Sequence, residues 1–324
     1  MDKYIGIDVS KQTFDAYGIN RQGKTIMLKP TNSPKGFREL LKLFDEEHIF
    51  VMEATGPYYL RLAMFLHSQG RQVSVVNPLV IRRYSQMQLQ RAKTDSKDAR
   101  TIRQYAMQNP VKLWHPEPRE IMEMQQILTS LELLGRQHTA LSNQLGSFTD
   151  SGIIDSQVKK TLKDMLRKFE AEIRKLEQRL GEIVRTHYAE TKQRLESIPG
   201  IGIKASAVLI AITSNFEKFS HHKQLIAYVG LSPRVYSSGT SVKGKGRICR
   251  MGKATVRRQL YMCSWSAKIY NKACKQMHER LIERGKPERV VKIAIANKLL
   301  KQAFAVVKSR GTYDESYESK RLVA

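Results

Sequence analysis

From residue 162 to residue 183 the apolar positions are Leu162, Leu166, Phe169, Ile173, Leu176, Leu180 and Ile183, alternating steps of four and three with Lys, Arg, Glu and Asp between them. No other pattern in the chain constrains folding as tightly. A repeat averaging 3.5 residues winds one apolar stripe along a helix, and that stripe is stable only against another helix. A looser stripe precedes it: Met124, Leu128, Leu131, Leu134, Leu141, Leu145 and Phe148, interrupted near His138, with Ser151-Gly152 separating the two. The spacing predicts two helices folded into an antiparallel coiled-coil hairpin. Such a hairpin serves either as a self-contained spacer or as a subunit interface.

The flanking segments have other periods. Tyr4-Ile5-Gly6-Ile7 reads as a strand ending at Asp8, followed by strands over 13–19 and 25–28 around the turn Arg21-Gln22-Gly23-Lys24. Ser33-Pro34 opens an amphipathic helix with Phe37, Leu40, Leu41 and Phe44 on one face, and a buried strand over 49–52 ends at Glu53. A helix over 58–69 leads to a strand over 73–76 and a break at Asn77-Pro78. A meander followed by alternating helix and strand is an α/β pattern. Beyond the hairpin, Pro199-Gly200-Ile201-Gly202 precedes a helical run over 205–212, with further helices over 253–272 and 289–308. The chain is expected to comprise an α/β domain over 1–110, a coiled-coil helical hairpin over 111–190 and a mainly α domain over 191–324.

Charge divides along the same lines. Against 56 Lys plus Arg stand 30 Asp plus Glu, a net +26, which is the balance of a polyanion binder. Residues 1–110 carry 17 basic and 10 acidic side chains, residues 111–190 carry 12 of each, and residues 191–324 carry 27 and 8. The last third is therefore the main polyanion-facing module and the middle a scaffold. Within 233–260, Arg234, Lys243, Lys245, Arg247, Arg250, Lys253, Arg257 and Arg258 occur with no acid. Pro-Gly-x-Gly before a helix suits a phosphate, through backbone N–H groups around Gly200 and Gly202, or is a plain helix–helix turn. Tyr236, Tyr261 and Trp265 either stack on bases or fill the core, and a helical segment favours the core. The longest apolar stretches, such as 207–212, fall far short of the roughly 18 residues a membrane span needs. The start Met1-Asp2-Lys3-Tyr4 lacks the apolar region of a signal peptide, so a soluble, cytoplasmic, nucleoid-associated protein with no membrane partner is expected. Three cysteines without C-x-x-C spacing fit reduced thiols and leave any metal to oxygen ligands.

Four acids are conspicuous in so basic a chain. Asp8 and Glu53 end two buried strands, where α/β sheets present reactive groups. Asp95 and Asp98, in Lys93-Thr94-Asp95-Ser96-Lys97-Asp98-Ala99-Arg100, lie three apart and share a helix face that Thr94 is placed to cap. Convergent carboxylates repel unless a cation neutralises them, and hard oxygen donors select Mg²⁺ or Mn²⁺. One or two such ions polarise a phosphodiester and stabilise the attacking and leaving oxygens. No G-x-x-x-x-G-K-[ST] sequence occurs, so no nucleotide cofactor is expected.

Tyr-Ile-Gly-Ile-Asp8, Met-Glu53-Ala-Thr-Gly and Lys-Thr-Asp95-Ser-Lys-Asp98-Ala-Arg resemble the Asp-Glu-Asp-Asp tetrad of insertion-sequence-110-type transposases. Ser-Ile-Pro-Gly-Ile-Gly, Ala227-Tyr-Val-Gly-Leu-Ser-Pro-Arg234 and Tyr236-Ser-Ser238-Gly-Thr-Ser-Val resemble the second domain of that family, in the same order. The resemblance implies a RuvC or ribonuclease H-like first domain that binds Mg²⁺ through Asp8, Glu53, Asp95 and Asp98. It also implies a serine nucleophile matching Ser238, with Ser237, Thr240 and Ser241 as close neighbours. Attack on a DNA phosphate would then give a phosphoserine and a free 3′ hydroxyl, conserving bond energy for rejoining. Lys93, Arg100 and the basic residues from Arg234 to Arg258 would neutralise phosphates of target and donor DNA. The resemblance further implies an element-encoded guide (bridge) non-coding RNA that pairs with both DNAs, and a homodimer or homotetramer with a composite active site. A metal-dependent junction resolvase, in which water attacks, and a site-specific DNA invertase are the competing readings.

Overall fold

The computed structural model describes residues 3–89, 95–234, 237–238, 242–243, 247–249 and 251–316, with the backbone alone for 95–97, 234, 237–238, 242–243 and 247. Contacts divide the chain into two units, Met1–Pro116 and Glu117–Ala324.

The first unit is built on strands β1 (Tyr4–Val9), β2 (Phe14–Ile19), β3 (Thr25–Leu28), β4 (Ile49–Glu53) and β5 (Gln72–Val76), in sheet order β3-β2-β1-β4-β5. The meander β1-β2-β3 is antiparallel, whereas β4 runs parallel to β1 and β5 parallel to β4. The parallel strands are near-continuous apolar runs because both faces are covered. On one face Ile5, Ile7, Phe14, Phe50 and Met52 pack with residues of helices α1 (Pro34–Leu41) and α2 (Tyr59–Ser68). Each such side chain contributes roughly 1.5–3 kcal/mol by leaving water. On the other face Ile49, Val51 and Val76 meet Ile81 of α3 (Pro78–Met87) and Ile102 and Ala106 of α4 (Asp95–Gln108).

Asn77-Pro78 ends β5, as expected, and is also a helix start. The Asn77 side chain accepts from the Leu79 N–H at 2.9 Å, and Pro78 supplies the fixed φ of the first helical turn.

The second unit opens with α5 (Arg119–Asp150) and α6 (Ser156–His187), two antiparallel helices of 32 residues each. Gly152, at φ 74°, turns the chain, and Asp155 caps α6 by accepting from the Val158 N–H. The interruption at His138 is an interhelical contact, with Nε2 3.3 Å from Glu170 Oε1. Burial is graded along the arm. Ile121, Met124 and Leu128 pack with Leu180, Ile183 and Val184 in the body, whereas from 129 to 179 every seam residue keeps partial exposure.

α7 (Ala189–Glu196), α8 (Ile203–Thr213) and α9 (His222–Val229) follow. Short strands β6 (Pro233–Arg234), β7 (Ser237–Ser238), β8 (Val242–Lys243) and β9 (Arg247–Ile248) precede α10 (Ala254–Tyr270), α11 (Lys272–Glu283) and α12 (Glu288–Lys308). α8 is buried on nearly every side, and α12 packs Val291, Ile295 and Leu299 into the same core. The helix expected over 253–272 ends at Asn271, which is fully buried and caps α11 by accepting from the Cys274 N–H. All three cysteines are free thiols. Among the described residues no helix is long and apolar enough to cross a membrane.

Candidate active site

Asp8 and Glu53 are brought together by strand register. The last parallel pair of β1 and β4 is Ile7 with Met52. Asp8 and Glu53 therefore occupy the next matching positions, at the carboxyl ends of adjacent strands and on one face of the sheet. That face is the one α4 covers. Arg103 Nε donates to the Tyr4 carbonyl at 3.1 Å, and one helical turn earlier the Ala99 carbonyl lies against Gly6. α4 thus runs opposite to β1, and a further turn toward its N-terminus brings the backbone of Asp95 level with Asp8. Glycine at position 6 permits the approach, because a Cβ there would stand 2.0 Å from the Ala99 carbonyl oxygen and 2.6 Å from the Arg103 nitrogen.

Asp8, Glu53 and Asp98 are all partly exposed. Thr55 Oγ1 donates to Glu53 Oε1 at 3.0 Å and orients that carboxylate. Among the described residues no three acid, histidine or cysteine side chains stand close enough to hold an ion. The side chain of Asp95 lies outside them. As a donor set, partly exposed carboxylates at two strand ends and on the facing helix suit a hard divalent cation rather than a soft one.

A fifth acid escaped the sequence reading. Asp15 pairs directly with Asp8 across β1 and β2, so its side chain shares Asp8's face. It is 8% exposed, with Lys29 Nζ 3.2 Å from Oδ2. The available signal was alternation: Phe14 and Ala16 point to the opposite core, leaving Asp15 and Tyr17 facing α4. Beside them the guanidiniums of Arg100 and Arg103 lie 5.8 and 5.5 Å from the Tyr17 ring centroid. Burial depresses the pKa of Arg103.

Ser238 belongs to the second unit. Two short antiparallel ladders, nested in sequence, pair Pro233 with Ile248, Arg234 with Arg247, Ser237 with Lys243 and Ser238 with Val242. Ser238 is the innermost described residue on its side of this hairpin. The base is clamped to the end of α9. Gly230 caps that helix at φ 82°, a conformation favouring glycine, and a Cβ there would stand 2.4 Å from the Met251 carbonyl. Gly252 approaches the Tyr228 carbonyl as closely, and the Cys249 N–H donates to the Ser232 carbonyl at 2.9 Å.

The basic residues separate into two kinds. Arg257 Nη1 donates to the Val229 carbonyl at 2.7 Å, Arg258 Nη2 to Glu132 Oε1 at 2.9 Å, and Lys253 Nζ lies 5.8 Å from the Tyr228 ring centroid. These three hold the fold together as well as adding charge. Lys93, Lys245 and Arg250, with Tyr236, Thr240 and Ser241, lie outside the described residues, as do the side chains of Arg234, Lys243 and Arg247. Gly200 has a packing reason: at φ 103°, its would-be Cβ meets that of Ala267 at 2.6 Å. Gly202 caps α8 with open space beside it. Contrary to the core position that a helical segment favours, Trp265 keeps half its surface exposed, while Tyr261 is half-buried.

Comparison with known proteins bears on both units. Residues 5–153 match the model of the IS110-type Asp-Glu-Asp-Asp transposase domain, and residues 192–279 match that of the transposase IS116/IS110/IS902 family. The chain is 30% identical to the pilin gene-inverting protein of Moraxella lacunata, over 96% of this chain and 98% of that protein. The pilin gene-inverting protein of Moraxella bovis is equally similar, at 30% over the same shares. The transposase for insertion sequence element IS1111A of Coxiella burnetii is 24% identical over 96% of this chain and 91% of that protein. With both family domains matched in order and relatives aligned from end to end, the chain belongs to the IS110 family of transposases, enzymes that cleave DNA and transfer its strands.

Proposed function

We propose that this transposase is an RNA-guided DNA recombinase of an insertion sequence. Its first unit is a RuvC or ribonuclease H-like domain, a reading supported by the sheet order β3-β2-β1-β4-β5 with only the meander antiparallel. Asp8, Glu53, Asp95 and Asp98 hold Mg²⁺, which Mn²⁺ can replace. The observation that carries this is the shared register of Asp8 and Glu53 beneath a helix that Gly6 lets approach to contact. A divalent cation held there supplies concentrated positive charge for phosphoryl oxygens.

The residues of the chain divide the remaining work. Thr55 fixes the rotamer of Glu53, and Lys29 offsets the buried charge of Asp15 beside Asp8. Ser238 is the nucleophile: its Oγ bonds to phosphorus as the P–O3′ bond breaks, its proton passes to a base, and the departing 3′ oxygen takes up a proton from water to leave as a hydroxyl. The clamp formed by Gly230, Gly252 and Arg257 sets the hairpin that carries it. Basic residues of the second unit neutralise phosphates of target and donor DNA and of the guide RNA, which provides the sequence choice. The incompletely covered α5–α6 arm joins subunits into a dimer or tetramer, as exchange between two duplexes requires more than one active site. A cytoplasmic, nucleoid-associated location follows from these partners.

Inversion is the second reading, favoured by the two pilin gene-inverting relatives at 30% identity. The same cleavage and rejoining chemistry serves both.

Covalent trapping tests the chemistry. Protein incubated with guide RNA, target DNA and donor DNA and then denatured should carry a DNA strand on Ser238, and Ser238→Ala should lose both adduct and cleavage. A Ser238→Ala protein that cleaves normally would assign attack to water and make the enzyme a metal-dependent nuclease. Asp8→Asn should bind DNA with unchanged affinity and lose strand transfer; retained transfer would remove Asp8 from the site.

A further inference from the structure

Trp265 stands on the outward face of α10 with 50% of its surface exposed. Lys292 Nζ is 3.3 Å from the indole centroid and Lys268 Nζ is 5.8 Å from it. Lys292 is itself 5% exposed. Glu288 binds both ammonium groups, at 2.8 Å from Lys268 and 3.5 Å from Lys292, and His278 Nε2 lies 2.9 Å from its other oxygen. The indole is therefore held by a fixed cation against one side while half of it remains open. Met262, Ile269 and Tyr270 are exposed on the same helix, at 59%, 57% and 68%.

The charge around this open aromatic face selects its occupant. From Lys218 to His278 the sequence contains no acidic residue, and Lys253, Arg258, Lys272 and Lys275 are exposed along α10 and the start of α11. A protein partner would have to bring apolar groups into a rim whose two acids, Glu288 and Glu132, are already paired with Lys268, Lys292 and Arg258, and beside which Lys253, Lys272 and Lys275 stand exposed. A duplex buries its base faces against one another and offers the indole nothing to stack on. A single strand offers both unpaired π-faces and phosphates.

We infer that the outer face of α10 binds a single nucleic acid strand, with Trp265 stacking on an unpaired base and the surrounding lysines and arginine neutralising phosphates. The site rests on the nucleic-acid binding of the proposed function and is independent of its chemistry.

The chain has two tryptophans, Trp114 and Trp265, so full-length Trp114→Phe reports Trp265 alone. Its fluorescence should be quenched by a single-stranded oligonucleotide, and much less by the duplex or by an abasic strand of equal length that binds through phosphates only. Trp265→Ala should weaken single-strand binding about 5- to 150-fold, with the slope of log affinity against log salt unchanged because no phosphate contact is lost. Trp265→Phe should recover most of that loss. Ribo- and deoxyribo-oligonucleotides of one sequence identify the strand as RNA or DNA. Equal quenching by the abasic strand, or unchanged affinity in Trp265→Ala, would overturn the inference. A shift of the oligomeric state in Trp265→Ala without loss of strand binding would make the face a protein interface instead. Quenching that persists in Asp8→Asn separates this site from failure of the recombinase reading.

Discussion

Gly6→Ala tests the geometry that brings the first unit's acids together. The added Cβ would lie 2.0 Å from the Ala99 carbonyl oxygen and 2.6 Å from the Arg103 nitrogen, both backbone atoms that no rotamer change can move. Restoring that closest distance from 2.0 Å to the 3.4 Å of an ordinary contact requires α4 to retreat about 1.4 Å from β1. Overpacking of this kind costs roughly 1–3 kcal/mol, and a misplacement of ~1 Å at reacting groups lowers rate by about 10²-fold. The variant should therefore lose both stability and strand transfer while binding DNA normally, since the larger positive excess lies in the second unit. Denaturation followed through Trp114 in a Trp265→Phe background isolates the first unit. Gly18→Ala is the control. Its Cβ would meet the mobile end of Ile5 at 2.3 Å on the opposite face of the sheet, so it should cost less and spare strand transfer. An unchanged denaturation midpoint with unchanged strand transfer in Gly6→Ala would refute the close crossing, and equal activity losses in both variants would refute its link to the site.

Gly230→Ala should weaken strand transfer and destabilise the second unit by about 1–3 kcal/mol, because φ 82° and the Met251 carbonyl both exclude a side chain; denaturation and transfer assays report the two effects. Under native conditions a maleimide should modify Cys249 ahead of the buried Cys263 and Cys274, whose thiol pKa values burial raises, to about 12 for Cys274; mass spectrometry counts the adducts before and after unfolding. Hydrogen bonding from Lys268, then from His278, lowers the Glu288 pKa from 4.5 to about 2. Its contribution is thus fully present above about pH 4.5 and lost as pH falls toward 2. Glu288→Gln should flatten that acid limb in denaturation profiles. Paired polar substitutions at Leu141 and Phe169 on the arm should lower the oligomeric state in sedimentation while leaving the body's denaturation midpoint unchanged.

The strands were legible because apolar runs bounded by turns have few alternatives, and the shared offset that aligns residues 4–7 with 49–52 also aligns Asp8 with Glu53. What escaped depended on distant residues. Asp15 reads in sequence as a solvated charge, and only the pairing of β1 with β2 sets it across from Asp8. The end of the helix expected over 253–272 agrees with the break at Asn271, but α11 beyond it was not expected, because that break has no local signal. It is made by tertiary hydrogen bonds, from Asn271 Nδ2 to Gln302 Oε1 at 3.0 Å and from the Tyr313 hydroxyl to Asn271 Oδ1 at 3.1 Å. The role of Trp265 depended on α12, which delivers Lys292 to one side of the ring.

The graded burial along the α5–α6 arm carries a thermodynamic consequence. Where the arm leaves the body, its seam is no longer closed over, so the outer turns gain little from apolar burial and open locally at low free energy. A second copy covering the seam, as proposed, would stabilise these turns by mass action and make the arm's order a function of protein concentration. Amide exchange in the outer arm would then slow as concentration rises while exchange in α8 stays constant. An enzyme that joins separate DNA segments would in this way register how many copies of itself are present.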